Sequence, residues 1–198
     1  MQRATESLEQ EHRTIEKILR VIGVLADELA ENRNIDSDIL PDLCQFLGIY
    51  VHECHHGKEE SHLFPMLESH GVPDSGCPLG ALRHEHERSR ALTQELTQAS
   101  VEYAANSNSG RSKLLEVFSN LKQFYPSHIW KEEYLLFPLA RKVLSADDDK
   151  ALLKEFASVE SDIYFQAYES YEQLATRLED RIVRASPKMR IAARQRVV

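Results

Sequence analysis

The sequence predicts an all-α protein, an up-and-down antiparallel four-helix bundle with an additional C-terminal helix. Three observations carry this. Apolar residues recur at helical spacing over long stretches, no stretch alternates as a strand would, and the few glycines and prolines gather where helices would end. The first helix is expected from about Thr5 to Asn32, with Leu8, Ile15, Ile18, Ile22, Leu25 and Leu29 on one face. Asn32-Arg33-Asn34 breaks it. Asp36 or Ser37 then caps a second helix that tolerates Pro41 in its first turn and reaches about Ser69. The stretch from Gly71 to Pro78 is a loop. A third helix covers roughly Leu79 to Ala105, a fourth about Ser112 to Val143, and Ser145 to Asp149 offers caps for a fifth. That fifth helix is periodic through Leu152, Leu153, Phe156, Ile163, Tyr164, Tyr171 and Leu178. A helix of about 28 residues is roughly 42 Å long, and short loops between such helices favour antiparallel neighbours.

The 198 residues suffice for one buried core, and 42% hydrophobic with 28% charged residues argues against disorder. Residues 1–145 are expected to form the bundle, 146–185 an extra helix on or beside it, and 186–198 a basic tail. No apolar run approaches the roughly 20 residues that cross a bilayer, and Met1 to Glu6 lacks the apolar core of a secretory signal, so the cytoplasm is the expected location. Three cysteines, Cys44, Cys54 and Cys77, form no CxxC pair, which excludes a disulfide scaffold and a thiolate zinc ribbon. Six basic and no acidic residues follow Asp180. Residues 1–180 therefore carry 18 of the 24 basic groups against all 32 acidic ones, a charge of about −14, which repels nucleic acid.

The chemistry lies in a repeat. Residues 55–65 and 128–138 share the pattern H-x-x-K-E-E-x-x-L-F-P. A His and a Glu four residues apart share one helix face, about 40° apart and one turn up, so imidazole and carboxylate can converge on one centre. Glu11-His12 precedes His55, and Glu85-His86 precedes His128, at nearly equal distance. The chain thus reads as two helical hairpins, each giving one His from its first helix and His-x-x-x-Glu from its second. Packed with approximate two-fold symmetry, they aim His12, His55, Glu59, His86, His128 and Glu132 inward. Six such side chains are ruinous in a core unless paired or metal-bound. Four imidazoles and two carboxylates suit a pair of iron ions, with the carboxylates free to bridge; manganese fits the same donors.

These motifs, EH…HHxKEExxLFP…EH…HxxKEExxLFP, resemble those of the hemerythrin-like, or HHE cation-binding, domain family. The block from Cys54 to Glu60 and the stretch from Gly71 to Arg90 are similar to its prokaryotic members. The resemblance covers about residues 8–140. It implies a four-helix bundle and a non-haem di-iron centre that meets dioxygen, nitric oxide or peroxide. Hemerythrin proper carries a further histidine one turn before the third-helix ligand. Here that position is Leu82, and Glu132 stands where the oxygen carriers use a shifted aspartate. Six ligands in place of seven favour sensing or reacting with small oxidants over carrying oxygen.

Several alternatives stay open. His56 with Glu60 has the same spacing as His55 with Glu59, although the repeat partner of His56 is apolar Ile129. His84 competes with His86, and Glu133 with Glu132. His52 is expected to support a ligand or face solvent, Glu16 to lie outside the ligand set, and His62 and His70 to be exposed. Leu63, Phe64, Leu136, Phe137, Phe124, Tyr125 and Trp130 are expected in the core, with each Leu-Phe-Pro proline ending or kinking its helix. Tyr125 is one turn from His128, within reach of a metal-bound oxygen. Three function classes compete: a protein that binds or senses small oxidants, an oxidoreductase consuming peroxide or nitric oxide, and a metal-responsive module. The expected partners are a small diatomic or peroxide ligand and, through the C-terminal helix, a second copy or another protein.

Overall fold

A computed structural model describes residues 3–107 and 109–183, with the backbone alone for 162–170. The basic tail at 186–198 and the side chains of Ile163 and Tyr164 lie outside the described residues. The described chain is all-helical, without a strand. Helix α1 is Ala4–Ala30, α2 covers residues 40–69, α3 is Leu79–Ala104, α4 covers residues 110–143, and α5 covers residues 146–183.

Local chemistry sets the boundaries. Glu6 accepts a hydrogen bond from the Arg3 amide at 3.0 Å, ahead of the first turn of α1. Asp36 accepts from the Asp38 amide at 3.0 Å and starts a 3₁₀ turn that leads into α2, whose first turn holds Pro41. Asn32 and Asn106 take positive φ values of 57° and 55° after α1 and α3, and Gly71 takes 84° after α2. Ser145 caps α5 reciprocally with Asp148.

The prolines of the two Leu-Phe-Pro motifs do not end their helices. Pro65 and Pro138 have no N–H to return to the preceding turn, and the chain widens into π turns at Glu59–Leu63 and Glu132–Leu136 just before them. The helix then continues to Ser69 and to Val143. Each π turn begins at the glutamate of a His-x-x-x-Glu pair.

Buried apolar side chains form two clusters. One gathers Ile18, Leu25, Leu43, Leu47, Leu96, Phe118 and Leu121, joined by Leu174 and Leu178 of α5. The other gathers Leu8, Leu63, Phe64, Leu82, Leu136 and Phe137, joined by Leu152 and Phe156 of α5. Beside them lies a group of buried polar side chains contributed by α1, α2, α3 and α4. Helix α5 packs along α1 and the middle of α2, and Thr14, Lys17 and Arg20 of α1 bond to Glu172, Thr176 and Glu179.

Candidate metal centre

The six residues predicted from the repeat all lie in this polar layer, and all are buried. His12 Nε2 is 3.2 Å from His55 Nε2 and 2.9 Å from Glu132 Oε2. His86 Nε2 is 3.3 Å from Glu59 Oε2 and 3.5 Å from Glu132 Oε1, and His128 Nε2 is 3.0 Å from Glu132 Oε1. A seventh donor joins them. His56 is fully buried and stacks on His86 with ring centroids 3.8 Å apart. The donor atoms of His12, His55 and Glu132 lie within 4.8 Å of one another, as do those of His56, His86 and His128 and those of Glu59, His86 and Glu132.

Some of the donors contact one another, His12 with His55 and His86 with Glu132, but others are left without any hydrogen-bond partner. Both nitrogens of His56, both oxygens of Glu59, His128 Nε2 and Glu132 Oε2 are buried and accept or donate no hydrogen bond. Leaving such groups bare costs about 1–3 kcal/mol each. Glu132 Oε2 and His12 Nε2 are within ion-pair distance but not aligned for a hydrogen bond. Lone pairs that converge on shared points, in a water-poor layer, are what cation ligands need. The donors present therefore fit a pair of oxygen- and nitrogen-liking cations.

Four of the five imidazoles are held from behind by a carboxylate. Glu133 contacts His12 Nδ1 at 3.0 Å, Glu11 contacts His55 Nδ1 at 2.8 Å, Glu60 contacts His86 Nδ1 at 2.7 Å, and Glu85 contacts His128 Nδ1 at 3.1 Å. Such bonds fix the ring and leave Nε2 facing the centre. Lys58 and Lys131 in turn hold Glu11 and Glu85. The repeated EH and KEE letters are thus accounted for. In each EE doublet the first glutamate faces the layer and the second anchors a histidine of the other hairpin. The phenylalanines complete the walls: Phe137 stacks on His12 at 5.6 Å and Phe64 on His86 at 5.7 Å, again across hairpins.

A family model, the hemerythrin HHE cation binding domain, matches residues 3–140 and, in an overlapping second alignment, residues 77–184. The chain belongs to this family. The second alignment starts at the second hairpin, as expected of a chain built from two similar ones. Uncharacterized proteins of Mycobacterium bovis and of two strains of Mycobacterium tuberculosis are 26% identical over 157 residues, which is 79% of this chain and 61% of theirs. The chain therefore spans about three fifths of the length of these curated relatives. No solved structure matches it. Membership of the hemerythrin family implies cation binding.

Within this hemerythrin-family site the alternatives left by the sequence separate cleanly. The choice between His55 and His56 does not arise, because both rings enter the layer. Leu82 is buried in the neighbouring apolar cluster. A fifth buried imidazole, His56 of α2, lies among the donors. His84 is exposed and pairs loosely with Glu87. Glu16 pairs with Arg13 away from the layer. His70 is exposed, whereas His62 is half-buried. Trp130 departs from its expected core position: it is 52% exposed and stacks on exposed Tyr134. His52 contacts Ser89 Oγ at 3.0 Å, and Ser89 Oγ bonds to the Tyr125 hydroxyl at 2.8 Å, one turn from the three-histidine group.

The electrostatics follow from this packing. Burial pulls His12 and His86 down, but their carboxylate neighbours outweigh it. Glu132 and Glu133 raise His12 to about 10. Glu132, Glu59 and Glu60 raise His86 to about 11. His128 is raised against burial by Glu132. Burial and the neighbouring His86 and His128 hold His56 well below the usual range, so it stays neutral. Glu132 lies far below the ordinary carboxylate value despite burial, because His128 and His12 face it. Without a cation the layer therefore stores protons on rings that a cation needs bare.

Proposed function

We propose that this chain is a non-haem di-iron protein that binds or senses dioxygen or a related small oxidant, on an up-and-down bundle of α1 to α4. His56, His86 and His128 would hold one iron, His12 and His55 the other, and Glu59 and Glu132 would lie between them. The observation that carries this is the cluster of buried, hydrogen-bond-free donors at His56, Glu59, His128 and Glu132. Carboxylate and imidazole donors suit iron, with manganese the nearest competitor. When bound, the iron pair supplies electrons and a free coordination position to a small oxidant.

The protein's own residues supply the rest. Glu11, Glu60, Glu85 and Glu133 orient four rings. Leu8, Leu63, Phe64, Leu82, Leu136 and Phe137 exclude water from one side of the layer. A three-to-two split of histidines would give the His12 and His55 side one nitrogen fewer than the other. A second reading, an oxidoreductase consuming peroxide or nitric oxide, is favoured by the hydrogen-bonded His52–Ser89–Tyr125 chain. It offers protons a route from half-buried His52 that a carrier does not need.

Anaerobic reconstitution with ferrous ion tests both. About two irons per chain and a reversible visible band on exposure to air support binding or sensing. Irreversible oxidation with turnover of peroxide or nitric oxide supports the enzyme. Full metal content in both His55→Ala and His128→Ala would sink the proposal.

A further inference from the structure

The two halves of the centre share one pattern but are closed differently. In the first hairpin Lys58 holds Glu11, which fixes His55, and Lys58 also reaches Glu160 of α5. Its ammonium lies 5.8 Å from the centroid of the Phe156 ring, also on α5. Lys58 and Glu11 are fully buried under this helix, and Glu160 is 22% exposed. In the second hairpin Lys131 holds Glu85, which fixes His128, yet Lys131 stays 32% and Glu85 20% exposed. The repeat itself explains why α5 lies where it does. Val159 of α5 lies over small Gly57, where even an added Cβ would meet its Cγ1 only at an ordinary 4.0 Å contact. The matching position of the second hairpin holds Trp130, whose bulk leaves no such groove.

We infer that α5 is part of the metal centre, acting as a lock on one half of it. Glu160, through Lys58 and Glu11, is a positioning residue for His55, and it slows escape of a cation from the His12 and His55 side. Among the described residues, the His56, His86 and His128 side has no such lock. This rests on the two-iron reading.

The test loads the full chain anaerobically with ferrous ion and follows its release to excess chromogenic ferrous chelator. Two phases are expected, assigned by His55→Ala, which removes one, and His56→Ala, which alters the other. Glu160→Gln, at a partly exposed position, should speed the His55 phase by about tenfold or more and leave the other unchanged. Lys58→Met should do the same. Lys131→Met should leave the His55 phase alone. Equal effects of Glu160→Gln on both phases, or none on either, would overturn the lock while leaving the two-iron centre standing. Uptake of fewer than two irons by the wild-type chain would remove the reading beneath it, and the lock with it.

Discussion

Loading the centre with a divalent cation should expel protons, and the number follows from the structure. His12 and His86 titrate near 10 and 11 in the cation-free chain. At pH 7.5 each ring is therefore more than ~99% protonated. A bound cation requires both Nε2 atoms bare. Glu132 contributes none, because it is already ionised far below neutrality. At least two protons should leave per chain. With two protons released, apparent affinity should climb roughly 100-fold per pH unit, or about 2.7 kcal/mol, between pH 6.5 and 8.5. Isothermal titration of anaerobic ferrous ion in buffers of different ionisation enthalpy counts the protons directly. Release of fewer than one proton, or a pH-independent affinity, would refute the reasoning.

The same rings fix the sign for the cation-free chain. A histidine whose folded value lies above its unfolded one, about 6.5, stabilises fully below that value. That stability is lost as pH rises towards about 10 and 11. At the acid end Glu60, held at about 2 against burial by His86 and Arg90, stabilises above its unfolded value and loses this as pH falls towards 2. Denaturation of the cation-free form should therefore ease in both directions, with the alkaline loss abolished by the cation.

Further outcomes follow from single side chains. Glu133→Gln or Glu60→Gln, by loosening His12 or His86, should weaken cation affinity by about 10–100-fold in a competitive chelator titration. Phe137→Ala removes a fully buried ring stacked on His12 and should cost about 3–5 kcal/mol in urea unfolding. Gly57→Ala makes only ordinary contacts and should stabilise by about 0.5–1 kcal/mol. Gly57→Trp, copying the second hairpin, should instead displace α5 and expose residues 146–183 to protease.

The all-helical fold and the burial of the six repeat residues were legible because a repeat tests itself. A His-x-x-x-Glu pair alone is a common surface pattern, but two in one frame, each with an upstream Glu-His, place four helices around one layer. The same logic reaches further than the spacing of ligands. Glu11, Glu60, Glu85 and Glu133 recur in both copies because each anchors a ring, and repeated letters beside a ligand are the signal for such support. What the repeat hid is whatever breaks it. The repeat partner of His56 is apolar Ile129, so symmetry argued against it, although it is buried and stacked on His86. Trp130 looked like core because aromatic residues usually are. It is exposed because α5, the element that would cover it, sits on the other hairpin. The prolines end no helix for a local reason, since a π turn just before each absorbs the missing N–H.

His56 also separates what stabilises the fold from what serves the site. In the cation-free chain it is a burden, with two ring nitrogens buried and unbonded and no carboxylate behind it. Its counterpart Ile129 shows that this frame accepts a branched apolar side chain, which is itself only 6% exposed. His56→Ile should therefore raise the stability of the cation-free chain by about 1–3 kcal/mol, the cost of an unsatisfied buried polar group. The same change removes one nitrogen from the three-histidine side, so the gain conferred by ferrous ion should shrink. Urea unfolding with and without anaerobic iron reads both quantities on one pair of proteins. If the substitution instead destabilised the cation-free chain, His56 would be a packing residue. If it left the iron-dependent gain intact, His56 would stand outside the centre.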